Sequence, residues 1–407
     1  MTRSSHAQLL RDQLTELKRL GYGRDRVGKA VKTPDHSNRS CSGISNGSCS
    51  GIVPPAQREA PQLSIVMSTY NRGELLHDAI RSVLAQRVSI TPAFELIVVD
   101  NNSTDSTREI VERFAAADGR VRYLFEPQQG LSYARNAGIR EARAPFIAFI
   151  DDDVRAEPEW VAAIVRAFRE HPEADMVGGR VLPVWPAAIP VWLTRDHWTP
   201  LALVDHGEAS VVVTADHPIC LVGAGACRRT VFEVVGLFAT GLQRVKDAIG
   251  SLEDHEFLLR VLRTGRKGVY DPRIILHAEI QPNRLERAYH RRWHTGHGHF
   301  HAMLRSHHME QTSVGTLFGV PAHLYRQALG DLVGWVRAKA IGEPGRAFHH
   351  EVRLRFFRGF FRTRRREFLE APRHQRRAEL WRLLRAPARR RGPLTQPAGT
   401  GAGGGRE

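Results

Sequence analysis

The sequence predicts an α/β protein: a mostly parallel central sheet with helices over both faces, followed by a basic helical region. Three observations carry this. Between residues 63 and 150, four short apolar runs alternate with stretches of helical periodicity. Each run is apolar at consecutive positions, the pattern of a strand buried on both faces. Polar and acidic residues follow the first, second and fourth runs directly, and in a parallel sheet those positions share the edge where ligands bind.

The elements follow in order. LSIVMST, residues 63–69, is the first strand, and residues 73–85 carry helical spacing through Leu76, Ile80 and Val83. FELIVV, residues 94–99, is the second strand, and a helix is expected from Ser103 with Ile110, Val111 and Phe114 on one face. Residues 121–125 form the third strand, 131–142 a helix, and 146–150 the fourth strand. A helix then starts at Pro158, turns Trp160, Ile164 and Phe168 inward, and stops at Pro172. Residues 183–218, rich in Pro and Trp, show no regular pattern. LVGAGACRR, residues 221–229, reads either as a loop near a ligand or as a tightly packed strand. Residues 236–250 are polar and bounded by glycine, as in a mobile loop. Ser251 to Asp254 opens a helix with Phe257, Leu258, Val261 and Leu262 apolar.

Charge narrows the function classes. The chain of 407 residues carries a formal net charge of +16. Residues 61–336 hold 30 basic and 32 acidic side chains, whereas residues 337–391 hold 18 basic and 5 acidic. The basic excess belongs to the ends, so nucleic acid is not the expected partner of the central body. Four cysteines, at 41, 49, 220 and 227, lack metal-ligand spacing and are expected to be reduced thiols. No apolar run approaches the ~18 residues of a membrane span, and MTRSSHAQLL has no signal-peptide core. The expected location is the cytoplasm.

Three consecutive carboxylates, Asp151, Asp152 and Asp153, end the fourth strand. Such a cluster needs a cation in a buried setting, and hard oxygen ligands suit Mg²⁺ or Mn²⁺. A solvated acidic turn is the plainer alternative. The convergence of Thr69, Asn71 and Arg72 after the first strand and Asp100 after the second argues against it. Arg135 and Asn136 lie on the helix before the fourth strand, where an arginine can pair with phosphate or with the acids. Asp254 by spacing alone is a helix cap, S-x-x-D, with Glu253 as a dipole partner. Four of the seven histidines in 290–308, His290, His294, His297 and His301, fall on one helical face. A metal site there lacks a completing acid or cysteine, and the plainer reading is an exposed basic surface with Arg291 and Arg292.

In this order, STYNR (68–72), VVDNNSTD (98–105), GLSYARNAGI (130–139), FIDDDV (149–154) and LEDHEFLLRVLRTG (252–265) resemble the motifs of the family-2 glycosyltransferases. The resemblance covers residues 63–301 and implies a GT-A fold and transfer of a sugar, with inversion, from a nucleoside diphosphate sugar to a hydroxyl. It implies that Thr69, Asn71, Arg72, Asp100, Arg135, Asp151 and Asp152 bind the nucleotide sugar. Asp151 and Asp153, aided by His277, would hold Mg²⁺ or Mn²⁺. Asp254 becomes the catalytic base, with Glu253, Arg291, Arg292 and Trp293 bordering the acceptor. With composition and charge, the resemblance divides the chain into a disordered extension (1–60), a GT-A domain (61–301), a basic amphipathic helical region (302–391) and a disordered tail (392–407). Two other classes stay open: a different metal-dependent nucleotide-transfer enzyme, and a non-catalytic nucleotide-sugar-binding component of a polysaccharide assembly.

Residues 337–391 mix arginine with Phe356, Phe357, Phe360, Phe361, Phe368 and Trp381. Trp335 lies just upstream. Arginine beside exposed aromatic rings is the composition of helices lying in a membrane interface. The expected acceptor is therefore a glycan or lipid-linked glycan met at an anionic membrane surface, on the inner face of the cell membrane. A nucleic-acid-binding tail and a helical domain packed on the body are the alternatives.

Overall fold

The computed structural model describes residues 60–87, 93–221, 223, 225–243, 252–305, 315–374 and 376. All but residue 60 of the expected disordered extension (1–60), the expected disordered tail (392–407), Trp381 and residues 244–250 of the expected mobile loop lie outside them.

Each apolar run forms a strand: β1 (Leu63–Thr69), β2 (Phe94–Asp100), β3 (Val121–Phe125) and β4 (Phe146–Asp151). Between them lie α1 (Gly73–Leu84), α2 (Thr107–Ala117) and α3 (Leu131–Glu141). The α2 helix starts four residues after the expected Ser103, because side chains hold that stretch as a turn. Asp100 Oδ1 accepts from the Ser103 amide at 2.9 Å, and Asp105 accepts from the amides of Gly73 and Thr107. Next come β5 (Val154–Ala156), α4 (Trp160–Glu170) and β6 (Ala174–Val184). The irregular segment contains two 3₁₀ turns (Arg195–His197 and Thr199–Leu201) and β7 (Val211–Val213). Then follow β8 (Gly225–Arg228), α5 (Arg229–Val235), α6 (Glu253–Arg263) and β9 (Lys267–Glu279).

The described strands β1–β9 form one sheet in the order β3-β2-β1-β4-β8-β6-β9-β5, with β7 beside β9. β1 runs parallel to both β2 and β4, and β2 to β3, while β8 is antiparallel to β4 and β6. Successive residues of β1 feed opposite cores, which is why Ile65, Val66 and Met67 are apolar in succession. Ile65 and Met67 pack with Leu76, Ile80, Trp160 and Phe168 on one face, and Val66 packs with Ala134, Ile139 and Phe149 on the other. Of the two readings of residues 221–229, the packed strand accounts for β8: a Cβ on Gly225 would run into the Val177 carbonyl of β6.

The helical region comprises α7 (Arg287–Leu304), the short pair β10 (Thr316–Leu317) and β11 (Val320–Pro321), α8 (Ala322–Ala340) and α9 (Pro344–Glu370). α9 crosses α7 at two glycines. A Cβ on Gly298 would strike the Phe356 carbonyl, and one on Gly359 the Thr295 carbonyl. This close crossing overturns two expectations. The histidines are not a basic surface: His290 is fully buried, and burial pushes His294 down to about 3 and His301 to about 4, so both stay neutral. The rings set among the arginines are not displayed either. Phe357, Phe360 and Phe368 are buried, and the first two pack with Ala302, Val320 and Leu324.

Candidate active site

Strand register brings the polar ends together: Ser68 of β1 pairs with Asp151 of β4, and Thr69 with Asp100 of β2. A cavity of about 310 Å³ opens over this edge. It is lined by Thr69, Arg72, Arg135, Asp151, Asp152 and Asp153, and also by Glu253, Asp254 and Trp293.

Two acid–arginine groups organise the cavity. In the first, Thr69 Oγ1 donates to Asp152 Oδ2 at 2.8 Å, and Arg72 Nη1 reaches Asp152 Oδ1 at 2.8 Å and Asp153 Oδ2 at 3.1 Å. Arg284, on the 3₁₀ turn Pro282–Leu285, adds a contact of 2.9 Å to Asp153 Oδ2. Burial pushes the Asp152 carboxyl up to about 6 even with Arg72 beside it. In the second group, the buried Arg135 guanidinium spans Asp254 Oδ1 at 2.5 Å, Glu253 Oε1 at 3.5 Å and Asp151 Oδ1 at 3.5 Å. Burial opposes the charge of Arg135, but these three carboxylates hold its pKa above the ordinary arginine value. Arg135 thereby ties the end of β4 to the first turn of α6.

Within that turn the two acids differ. The side chain of Glu253 is 2 % exposed, whereas that of Asp254 is 27 % exposed. The helix N-cap among the described residues is Leu252, and Asp254 serves as a partner of Arg135 at the cavity wall.

Other expected residues shape the loops. Asp100 is buried, accepting from the Ser103 amide and from the Tyr123 hydroxyl at 2.9 Å. Asn71 sits at φ +50° and accepts from the Thr104 amide at 2.7 Å, which ties the loop after β1 to the loop after β2. Neither lines the cavity; their neighbours Tyr70 and Asn101 do. Asn136 clamps the backbone of Phe238 in both directions, at 3.0 and 2.9 Å. Of the expected acceptor set, Trp293 and Glu253 line the cavity. Arg291 instead pairs with Glu351 of α9 at 2.6 Å, and Arg292 is exposed outside the cavity. His277 also stands apart from the cavity, where its neighbour Ala278 takes the lining position. Its Nε2 lies 2.6 Å from Glu157 Oε1.

The residues that sequence reasoning missed are Asn101, Gln129, Gly130, Arg284 and Tyr289. The first three form one unit: Asn101 Oδ1 accepts from the Gly130 amide at 2.7 Å, and Gln129 donates to the Asn101 carbonyl at 2.7 Å. A signal was present in the second asparagine of DNN and in the QQG preceding α3. Arg284 carried none, because its role depends on β9 returning the chain beside β4's end.

The donor set fits a hard divalent cation. Carboxylate oxygens of Asp151 and Asp153 stand at the cavity, while among the described residues no three ligands converge on one point. Two carboxylates completed by diphosphate oxygens and water make an ordinary Mg²⁺ or Mn²⁺ shell.

Comparison with known proteins agrees with the motifs. The profile of the family described as Glycosyl transferase family 2 matches residues 64–236. The glucosyl-dolichyl phosphate glucuronosyltransferase of Haloferax volcanii is 27% identical over 229 residues, spanning 55% of this chain and 71% of that protein. Validoxylamine A glucosyltransferase of Streptomyces hygroscopicus subsp. jinggangensis is 37% identical over 129 residues, 31% of this chain and 30% of that one. Against the second relative, then, the likeness spans less than a third of its length. Among solved structures, the Pyrobaculum calidifontis mannosyltransferase in complex with GDP-Man and Mn²⁺ has 16% identity and a TM-score of 0.47, covering 73% of this chain and 87% of that one. With its ordered motifs, the β1–α5 region, residues 64–236, matches glycosyl transferase family 2, and related glycosyltransferases align on that stretch.

Proposed function

We propose that this protein transfers a sugar, with inversion, from a nucleoside diphosphate sugar to the hydroxyl of a glycan or lipid-linked acceptor. The observation that carries the reading is the placement of a partly open carboxylate, Asp254, across one cavity from the acidic end of β4. Thr69, Asn101 and the loops braced by Asn71 and Asp100 would border the nucleoside. Asp151 and Asp153 would hold Mg²⁺ or Mn²⁺. The cation, when bound, offsets the charge that develops on the departing diphosphate. Arg72 and Arg284, already paired to Asp152 and Asp153, stand where they can turn to phosphate oxygens. Asp254 would take the proton of the attacking acceptor hydroxyl, oriented by Arg135 at 2.5 Å. Trp293 and Tyr289 offer an aromatic wall for the acceptor sugar. Inversion needs one base and no enzyme nucleophile, and Asp254 is the residue given the base's role.

The acceptor reading draws support from two sources. Residues 337–391 carry 18 basic side chains against 5 acidic, which suits an anionic membrane surface, and the Haloferax relative is named for glucosyl-dolichyl phosphate. A peripheral position at the inner face of the cell membrane follows from the same charge. Thermal shift of the full chain with a panel of nucleoside diphosphates, with and without Mn²⁺, tests the donor reading. A Mn²⁺-dependent rise with one base is expected. No rise with any diphosphate overturns it.

A further inference from the structure

The buried rings of α9 leave open which surface meets a membrane, and α8 supplies one. Leu329, Leu332, Val333 and Val336 recur at the spacing of one helical stripe, and all are exposed, Leu329 and Val333 at 62% and 61%. Single exposed leucines are ordinary on a protein surface; a continuous stripe on one helix is not. On the wheel, Arg326 and Arg337 border it on one side and Lys339 on the other, and all three are exposed. The helix has one carboxylate, Asp331. It is buried on the opposite side, held by His350 Nδ1 at 2.9 Å and Arg353 Nε at 2.8 Å.

We infer that the exposed face of α8 lies on the surface of an anionic bilayer, with the apolar stripe at the acyl boundary and the three basic side chains at the headgroups. This rests on the membrane-acceptor reading above and names its contact surface. Charge complementarity selects the occupant. A second copy in symmetric contact would set these basic residues near their own kind. The chain's own continuation, residues 377–391, has six arginines and one glutamate and is repelled in the same way. Anionic headgroups supply the missing negative charge. No helix among the described residues is long and apolar enough to cross a membrane, so contact is in the plane of the surface.

The test is co-sedimentation of the full chain with vesicles of phosphatidylcholine alone and of phosphatidylcholine with phosphatidylglycerol. Each basic residue near the anionic leaflet contributes about fivefold to partitioning, less as salt is raised. Strong binding to the anionic vesicles, weakened by salt, is expected. L329E/V333E/V336E should lose more than about tenfold of it, and R326E/R337E/K339E likewise. All six positions are exposed and outside the cavity, so melting temperature and diphosphate-induced thermal shift should stay at the parent's values. If the parent binds anionic vesicles and the apolar triple variant binds equally, α8 is not the contact and only the membrane reading survives. If the parent ignores both vesicles, the membrane reading and the α8 assignment both fall. If the parent is a dimer that L329E/V333E/V336E converts to monomer, with no vesicle binding, a second copy covers the stripe and the inference is overturned.

Discussion

Replacing Asp254 with Asn separates a base from a counter-ion. The substitution keeps the side-chain shape and leaves an oxygen to accept from Arg135 Nη1, now at 2.5 Å from the carboxylate. It removes one of the three negative charges around a buried guanidinium, and Glu253 and Asp151 remain. Because the Asp254 side chain is 27% exposed, the loss of stability should be small, about 1 kcal/mol, the difference between a charge-assisted and a neutral hydrogen bond. The catalytic cost should be far larger. An amide cannot take the acceptor proton, and loss of a general base lowers turnover by roughly 10²–10⁴. Of the two proposed cation ligands, Asp153 lies in the other acid group, and Asp151 meets Asp254 only through Arg135, which the amide oxygen still holds, so donor affinity should change little. Initial rates at saturating donor and acceptor give kcat, calorimetry gives donor affinity, and a melting curve controls for folding. A kcat within about threefold of the parent, in a folded variant, refutes the assignment and leaves Asp254 as Arg135's partner.

Three further outcomes follow from the same structure. Asp153→Ala removes the carboxylate proposed as a cation ligand and its contacts from Arg72 and Arg284; metal-dependent donor binding should vanish, and unchanged affinity by calorimetry rules out the role. The neutral histidines between α7 and α9 predict acid lability. With folded values pushed by burial below 6.5, to about 4 for His290 and His301 and about 3 for His294, their contribution is complete above pH 6.5 and is lost as pH falls through 6.5 toward 4. Asp152, pushed up to about 6, works in the opposite direction over part of that window, but it is one group against several. Melting temperature should fall steeply between pH 6.5 and 4.5, and His294→Gln should flatten the fall; a flat parent profile contradicts the burial of these rings. Gly298→Ala puts a methyl against the Phe356 carbonyl, and overpacking there should cost about 1–3 kcal/mol in a denaturant melt. A neutral effect would mean that α7 and α9 are not so closely crossed.

Local pattern determined much of the catalytic body. A strand buried on both faces is apolar at most positions, so β1, β2 and β4 were legible as such, and parallel pairing then places Thr69, Asp100 and Asp151 at one edge. The acidic stretch, Arg135 and Asp254 could be found because each lies within a few residues of a strand end or helix start. The tertiary structure decided what depended on distant partners. Whether Asp254 caps its helix or pairs with Arg135 turns on a residue 119 positions away. Arg284 reaches Asp153 only because β9 brings it back across the sheet. Amphipathic composition is the same for a helix on a membrane and a helix on a neighbour, so residues 344–370 read as interfacial until α7 met them at Gly298 and Gly359 and took their rings inside. Helical period says that a face is apolar; only the packing says what covers it, and on α8 the described residues leave the apolar stripe exposed.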